Sequence, residues 1–168
     1  MPTAREENRH LHISLDDGTE FTVPPLPGRY GKEATALLIS VSMGAGEIDQ
    51  ILPNTERLVK LALGQPLAGW RRRQRDFEDL RATQQEQISQ AAIVWNCQGG
   101  SIDAVNDLFD EAGGYPKALG RVMESCGLGR EFELLQTWLN GVSQAPNSET
   151  ASSADMSIPT GIANTSAS

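Results

Sequence analysis

Histidine and cysteine are scarce in this chain, two of each in 168 residues, and aromatic residues make up only 5% of it. Metal centres draw on clustered imidazole and thiolate ligands, and His10 and His12 stand far along the chain from Cys97 and Cys126. No metal site and no cofactor are therefore expected. The same scarcity leaves each cysteine without a neighbouring imidazole base, and their helical surroundings mark both as reduced core thiols. Positive charge is also short: 14 Lys and Arg against 22 Asp and Glu give a formal net charge of −8. That balance disfavours nucleic acid as a partner, because binding phosphates needs a basic surface that displaces counterions. No apolar run reaches the length of a membrane-spanning helix. The opening MPTAREENRH is polar and lacks the apolar stretch of an export signal, so neither membrane nor secretion is expected and a reducing cytoplasm fits.

What is present begins with HLHISLDDGTEFTVPPLP, which reads as a β-hairpin. A two-residue turn at Asp17-Gly18 would set Ile13 and Leu15 opposite Thr22 and Glu20 and mix apolar with polar residues on one face. A three-residue loop, Asp16-Asp17-Gly18, with Gly18 in the left-handed conformation, instead pairs Ile13 with Phe21 and Leu11 with Val23. One face is then wholly apolar, and His12, Ser14, Glu20 and Thr22 fall on the other. Pro24, Pro25 and Pro27 remove backbone donors and end the second strand. A lone hairpin is marginal in water, so this one is expected to lie on helices.

Those helices follow in the pattern of apolar residues. GKEATALLISVSMG places Ala34, Leu37, Leu38 and Val41 at helical spacing. GAGEIDQILPN reads as a linker, and TERLVKLALG as a short helix with Leu58, Leu61 and Ala62 in one stripe. QPLAGWRRRQRDFEDLRA is ambiguous, since Leu67, Trp70 and Phe77 favour a helix and Gly69 with dense charge weakens it. TQQEQISQAAIVWNCQGG is the strongest helix: Thr83 and Glu86 have the spacing of a capping box, Ile88, Ala91, Ala92 and Trp95 share a face, and Gly99 ends it. Ser101 caps a helix with Val105, Leu108 and Phe109 that closes at Gly113-Gly114. Pro116 opens the next, with Leu119, Val122 and Met123 inside. EFELLQTWLNG is expected to bury Phe132, Leu135, Trp138 and Leu139. The expected organisation is a disordered segment over residues 1–9, a mostly α domain with its N-terminal β-hairpin over 10–141, and a disordered Ser, Thr and Ala-rich tail over 142–168.

Catalytic signatures are weak. Gly44-Ala45-Gly46 is a GxG that does not join a strand to a helix, so it lacks the geometry of a phosphate cradle. Asp16-Asp17 belongs to a turn, and Asp107, Asp110 and Glu111 lie along a helix surface, so neither group reads as an acid and base pair. Trp70-Arg71-Arg72-Arg73-Gln74-Arg75 is the one basic run, but Asp76, Glu78 and Asp79 follow at once and favour a solvated, internally paired segment. The pair of helices around Gly99 resembles a helix-turn-helix in outline, yet its second member carries Asp103, Asp107 and Asp110 and would repel DNA. The candidate partner-contact residues are His12, Ser14 and Thr22 on the outer face of the hairpin, with Trp70 at the head of the basic run. The hairpin reads either as a lid on the core or as an edge that recruits a partner strand or a second copy.

Three stretches together, LDDGTEFTVPPLP, ERLVKLALG and ISQAAIVWNCQGG, resemble the tail assembly chaperones of long-tailed bacteriophages that infect actinobacteria, and the polar tail resembles theirs as well. The resemblance covers about residues 11 to 110. It implies a non-enzymatic helper with no catalytic, cofactor or metal site. Such a helper binds the long helical tape measure protein, keeps it soluble, and brings tail-tube subunits to it in the host cytoplasm before leaving the finished particle. It also implies a longer frameshifted form of the same chain as a further partner. The alternative is a small acidic helical adaptor or regulator, of the anti-repressor or DNA-mimic type, in which negative charge is the active feature; a small enzyme stands third.

Overall fold

The computed structural model describes residues 1–44, 47–97, 101–110 and 114–143. Three antiparallel strands, β1 (Thr3–Glu7), β2 (His10–Ser14) and β3 (Glu20–Val23), precede seven helices: α1 (Gly28–Ser42), α2 (Ile48–Ala62), α3 (Trp70–Glu78), α4 (Ala82–Asn96), α5 (Ile102–Phe109), α6 (Gly114–Ser125) and α7 (Gly129–Ser143). The chain is mostly α with an N-terminal sheet, as the sequence predicts.

The β2–β3 register follows the apolar alternation. Leu11 pairs with Val23 and Ile13 with Phe21, and all four side chains are buried. The loop between them is the three-residue one: the Leu15 amide donates to the Thr19 carbonyl at 2.9 Å, and Gly18 has φ +82°. The sheet nonetheless has one strand more than the hairpin. Residues 1–9, expected to be disordered, contain β1, which pairs with β2 from Thr3↔Ser14 to Glu7↔His10. Asn8 and Arg9 turn the chain between them with φ of +51° and +63°, the positive pair that a tight two-residue hairpin needs. TAREE carries no apolar alternation to announce a strand; backbone pairing and contact with α5 hold it.

The sheet lies on α4 and α5, and α4 runs through the centre, touching β2, α1, α2, α5 and α6. Its Ile88, Ala91, Ala92, Ile93 and Val94 are all buried, so α4 is apolar well beyond one stripe. The helix starts at Ala82, and the Gln84 side chain accepts from the Arg81 amide at 2.9 Å. The expected Thr83 and Glu86 box is therefore displaced, with Thr83 already inside the first turn. Gln84 also donates to Asp17 Oδ2 at 2.5 Å and Thr19 Oγ1 at 3.2 Å, fastening the hairpin loop to α4.

Two further expectations change. The segment read as a linker around Pro53 is the first half of α2, with Pro53 inside the helix. Proline there has no N–H to give to the Asp49 carbonyl, and one intrahelical bond is lost without ending the helix. The ambiguous basic run is a true helix, α3, with no buried residue. The last helix buries Phe132, but Trp138 is 63% exposed rather than buried, because α7 packs chiefly against α6. The Leu139 side chain, the expected stops at Gly99 and Gly113, the residues Ala45, Gly46 and Glu111, and the tail beyond Ser143 lie outside the described residues; α7 itself extends two residues past the expected domain end.

The end of α2 is a joint of the fold. Its last carbonyls lack intrahelical donors, and side chains from two other helices supply them. Asn96, buried near the end of α4, donates from Nδ2 to the Ala62 carbonyl at 2.8 Å and to the Pro24 carbonyl at 3.1 Å, and its Oδ1 accepts from the Leu26 amide at 2.9 Å. Arg73 of α3 donates to the carbonyls of Leu63 (3.2 Å), Gly64 (2.9 Å) and Ala68 (2.9 Å). Gly64 has φ +89°, and a Cβ there would lie 2.7 Å from Pro24 Cγ. One asparagine thus binds the proline segment, α2 and α4 together.

Candidate functional site: an apolar groove between α2, α3 and α4

The Arg73 clamp has a geometric result. By tying the start of α3 to the end of α2 it sets the two helices apart along a groove, whose far side is the first half of α4. Gln85 holds that side, donating to the carbonyls of Phe77 and Leu80, each at 3.1 Å, at the end of α3. Phe77 meets Phe21 of the sheet edge to face, with ring centroids 6.1 Å apart. The walls are thus fixed by bonds to neighbouring elements, and the space between them, about 380 Å³, stays open. Val59 of α2, the buried Leu63 just beyond it, and Trp70 and Phe77 of α3 give it an apolar floor, and Glu56, Lys60, Gln74, Glu78, Gln85 and Glu86 form its rim.

The rim is acidic. Lys60 pairs with Glu56 at 2.5 Å, which lowers the Glu56 pKa through that bond and the ammonium charge. Glu78 and Glu86 accept from neutral amides, Gln74 Nε2 at 2.7 Å and Gln90 Nε2 at 3.2 Å. Arg71, Arg72 and Arg75 of α3 do not line the groove. The basic run is thereby divided: Arg73 serves the fold, with burial lowering its pKa, and Arg72 lies 3.8 Å from Asp76 on its own helix.

The groove opens onto the surface of α2. Ile48 and Leu52 are 87% and 80% exposed, and at 100° per residue Ile48, Leu52, Val59 and Leu63 fall on one face. Its mean direction lies about 120° round the helix from that of Leu58, Leu61 and Ala62, and the two meet at Ala62 and the buried Leu63, so the apolar surface of α2 continues past its buried face.

Of the residues singled out from sequence, Trp70 lines this groove. His12, Ser14 and Thr22 lie elsewhere, together on the outer face of the sheet, where His12 Nδ1 and Thr22 Oγ1 are 3.2 Å apart and Ser14 Oγ donates to Glu20 at 3.5 Å. Thr22 also borders a depression of about 520 Å³ between β3, Arg72 and Asp76 of α3, and Asp79 just beyond that helix. The structure therefore does not bring Trp70 together with the other three. Sequence reading missed Ile48, Leu52, Val59 and Leu63; the repeat at i, i+4, i+11 and i+15 was the available signal, hidden because the segment holding Ile48 and Leu52 reads as a linker.

Other groups with chemical potential are committed inside the fold. Burial pushes the Cys97 thiol up to about 12, and Tyr115 likewise to about 12. Asp107 of α5 pairs with Lys117 at 3.0 Å and with Arg121 of α6. The Asp17 carboxylate is held below its ordinary range first by the Thr19 amide, 3.0 Å away, and then by the Thr19 hydroxyl. Among the described residues, no three His, Cys, Asp or Glu gather as a metal site, and no helix is long and apolar enough to cross a membrane. Comparison of the chain with protein-family models, with curated proteins and with solved structures finds no match.

Proposed function

We propose that this chain is an interaction protein, the tail assembly chaperone of a long-tailed bacteriophage. It binds the tape measure protein in the host cytoplasm, recruits tail-tube subunits, and leaves before the particle is finished. The observation that carries this reading is the open apolar groove between α2, α3 and α4 with its extension along Ile48 and Leu52. A long client helix with an apolar face aggregates with its own kind unless that face is covered, and a rigid groove continued by a strip of exposed aliphatic side chains is a surface able to cover it. The resemblance of the hairpin, α2 and α4 stretches to such chaperones points the same way.

The alternative of an acidic regulator that imitates DNA draws on the net charge of −8. The acidic row of α5 gives it little support, because Asp107 spends its charge on Lys117 and Arg121 within the molecule. Co-expression with the tape measure protein encoded beside this chain tests the chaperone. The expected result is a several-fold rise in soluble tape measure protein, and an unchanged soluble fraction overturns the reading.

A further inference from the structure

The geometry points to the groove between α2, α3 and α4, with the stripe beyond it, as the docking site for a cationic amphipathic helix of another protein. This deepens the reading of the chain as an interaction protein and rests on it. Its first support is shape. From Ile48 to Leu63 the stripe is about 22 Å long at the rise of an α-helix, which matches the apolar face of a ligand helix of four turns. Its lower half ends in a cleft floored by Val59, Leu63, Trp70 and Phe77, where a large aliphatic or aromatic anchor is enclosed. Its upper half, at Leu52 and Ile48, is open and takes the remaining turns edge on. Helix-in-groove recognition uses a few such anchors at helical spacing, and here they form two apolar patches, with Thr55 and Glu56 on the face between Leu52 and Val59.

The second support is charge, and it selects among occupants. Once Lys60 is paired with Glu56, the rim presents Glu78 and Glu86 with no cation among the lining residues to offset them. A helix with lysine or arginine beside its apolar face meets opposite charge at Glu78 and Glu86 on the α3 and α4 side of the groove, whereas one flanked by glutamates meets like charge there. A second copy fits this charge less well. It offers Leu134 and Trp138 of α7, beside Arg130, Glu131 and Glu133, or Ile48 and Leu52 of α2, beside Glu47, Asp49, Glu56 and Arg57, and both stretches are net negative.

The test uses the full chain and two synthetic helical peptides of about 16 residues, one built from leucine and lysine with a single apolar face and one with glutamate in place of every lysine. Calorimetry is expected to show the lysine peptide binding at least about tenfold tighter than the glutamate peptide. Ile48→Ser with Leu52→Ser, at positions already in solvent, should weaken the lysine peptide about tenfold with the melting temperature unchanged. Glu78→Gln with Glu86→Gln should weaken it about fivefold, while Glu124→Gln with Glu133→Gln, the same charge removed from α6 and α7, should leave it unaltered. Equal loss from both charge pairs would reduce the effect to bulk attraction and overturn the site. Equal binding of the two peptides, indifference to Ile48 and Leu52, or a dimer of the free chain that these two serines dissociate would overturn it too. The outcomes separate the site from the function: a solubilised tape measure protein with no effect of the serines removes the groove and keeps the chaperone. Peptide binding as described without gain in tape measure solubility keeps the groove and removes the chaperone.

Discussion

At the sheet end of the molecule Leu11, Ile13, Phe21 and Val23 are all buried, whereas at the α7 end Leu134 and Trp138 are 64% and 63% exposed. Both ends repeat apolar residues at the spacing of their secondary structure. The difference lies in what each has to lie against. The sheet meets α4 and α5, and its loop is tied to α4 through Gln84, while α7 has chiefly α6. Periodicity thus states which residues share a face, and the neighbours decide whether that face is covered.

Truncation should expose this contrast most sharply. Ile13→Ala, at a fully buried position, is expected to cost about 3 kcal/mol in a urea melt, as large-to-small changes in a core do. Asn96→Leu should cost nearly as much, about 2 to 3 kcal/mol, since it strands the Pro24 and Ala62 carbonyls and the Leu26 amide around a buried position. A smaller loss, about 2 kcal/mol, is expected for Gly64→Ala, which puts a methyl group into left-handed backbone and against Pro24.

Alkaline titration probes the same packed side by another route. The Cys97 thiol rises from an ordinary value of 9.0 to about 12 on burial, so below pH 9 it is protonated whether the chain is folded or not and its contribution is full. Between pH 9 and 12 the unfolded thiol ionises and the folded one does not, so stability falls by roughly 1 kcal/mol per pH unit. Cys97→Ala should flatten that limb, leaving the part due to Tyr115, which moves in the same direction. At the far end of the scale, Leu134→Ser with Trp138→Ser should change the unfolding free energy by less than about 0.5 kcal/mol, as surface substitutions do. A loss comparable to that of Ile13→Ala would show that α7 is covered in solution.

The hairpin register was legible because it depends on local facts: alternation over a few residues and a glycine where the loop needs positive φ. The helices with strong apolar stripes were legible for the same reason. β1 was not, since TAREE forms a strand through backbone bonds to β2 that leave little mark on side-chain composition. α2 is longer than its sequence suggests, because GAGEIDQILPN with its glycines and Pro53 reads as a linker, although a helix survives the loss of one bond when its buried face continues beyond. Trp70 was singled out for its place beside arginines, and it does line the groove, but in company that only the folding of three helices assembles. No one segment contains the groove, so no pattern within a segment could display it.

Pro53 has one more consequence. The missing donor sits between the turn that carries Ile48 and Leu52 and the turns anchored by Leu58, Leu61 and Ala62. Hydrogen exchange should divide the helix there, fast upstream and slow downstream, because the outer turn can unwind and rewind while the anchored turns hold. The helix thus has a lip that yields independently of its foundation.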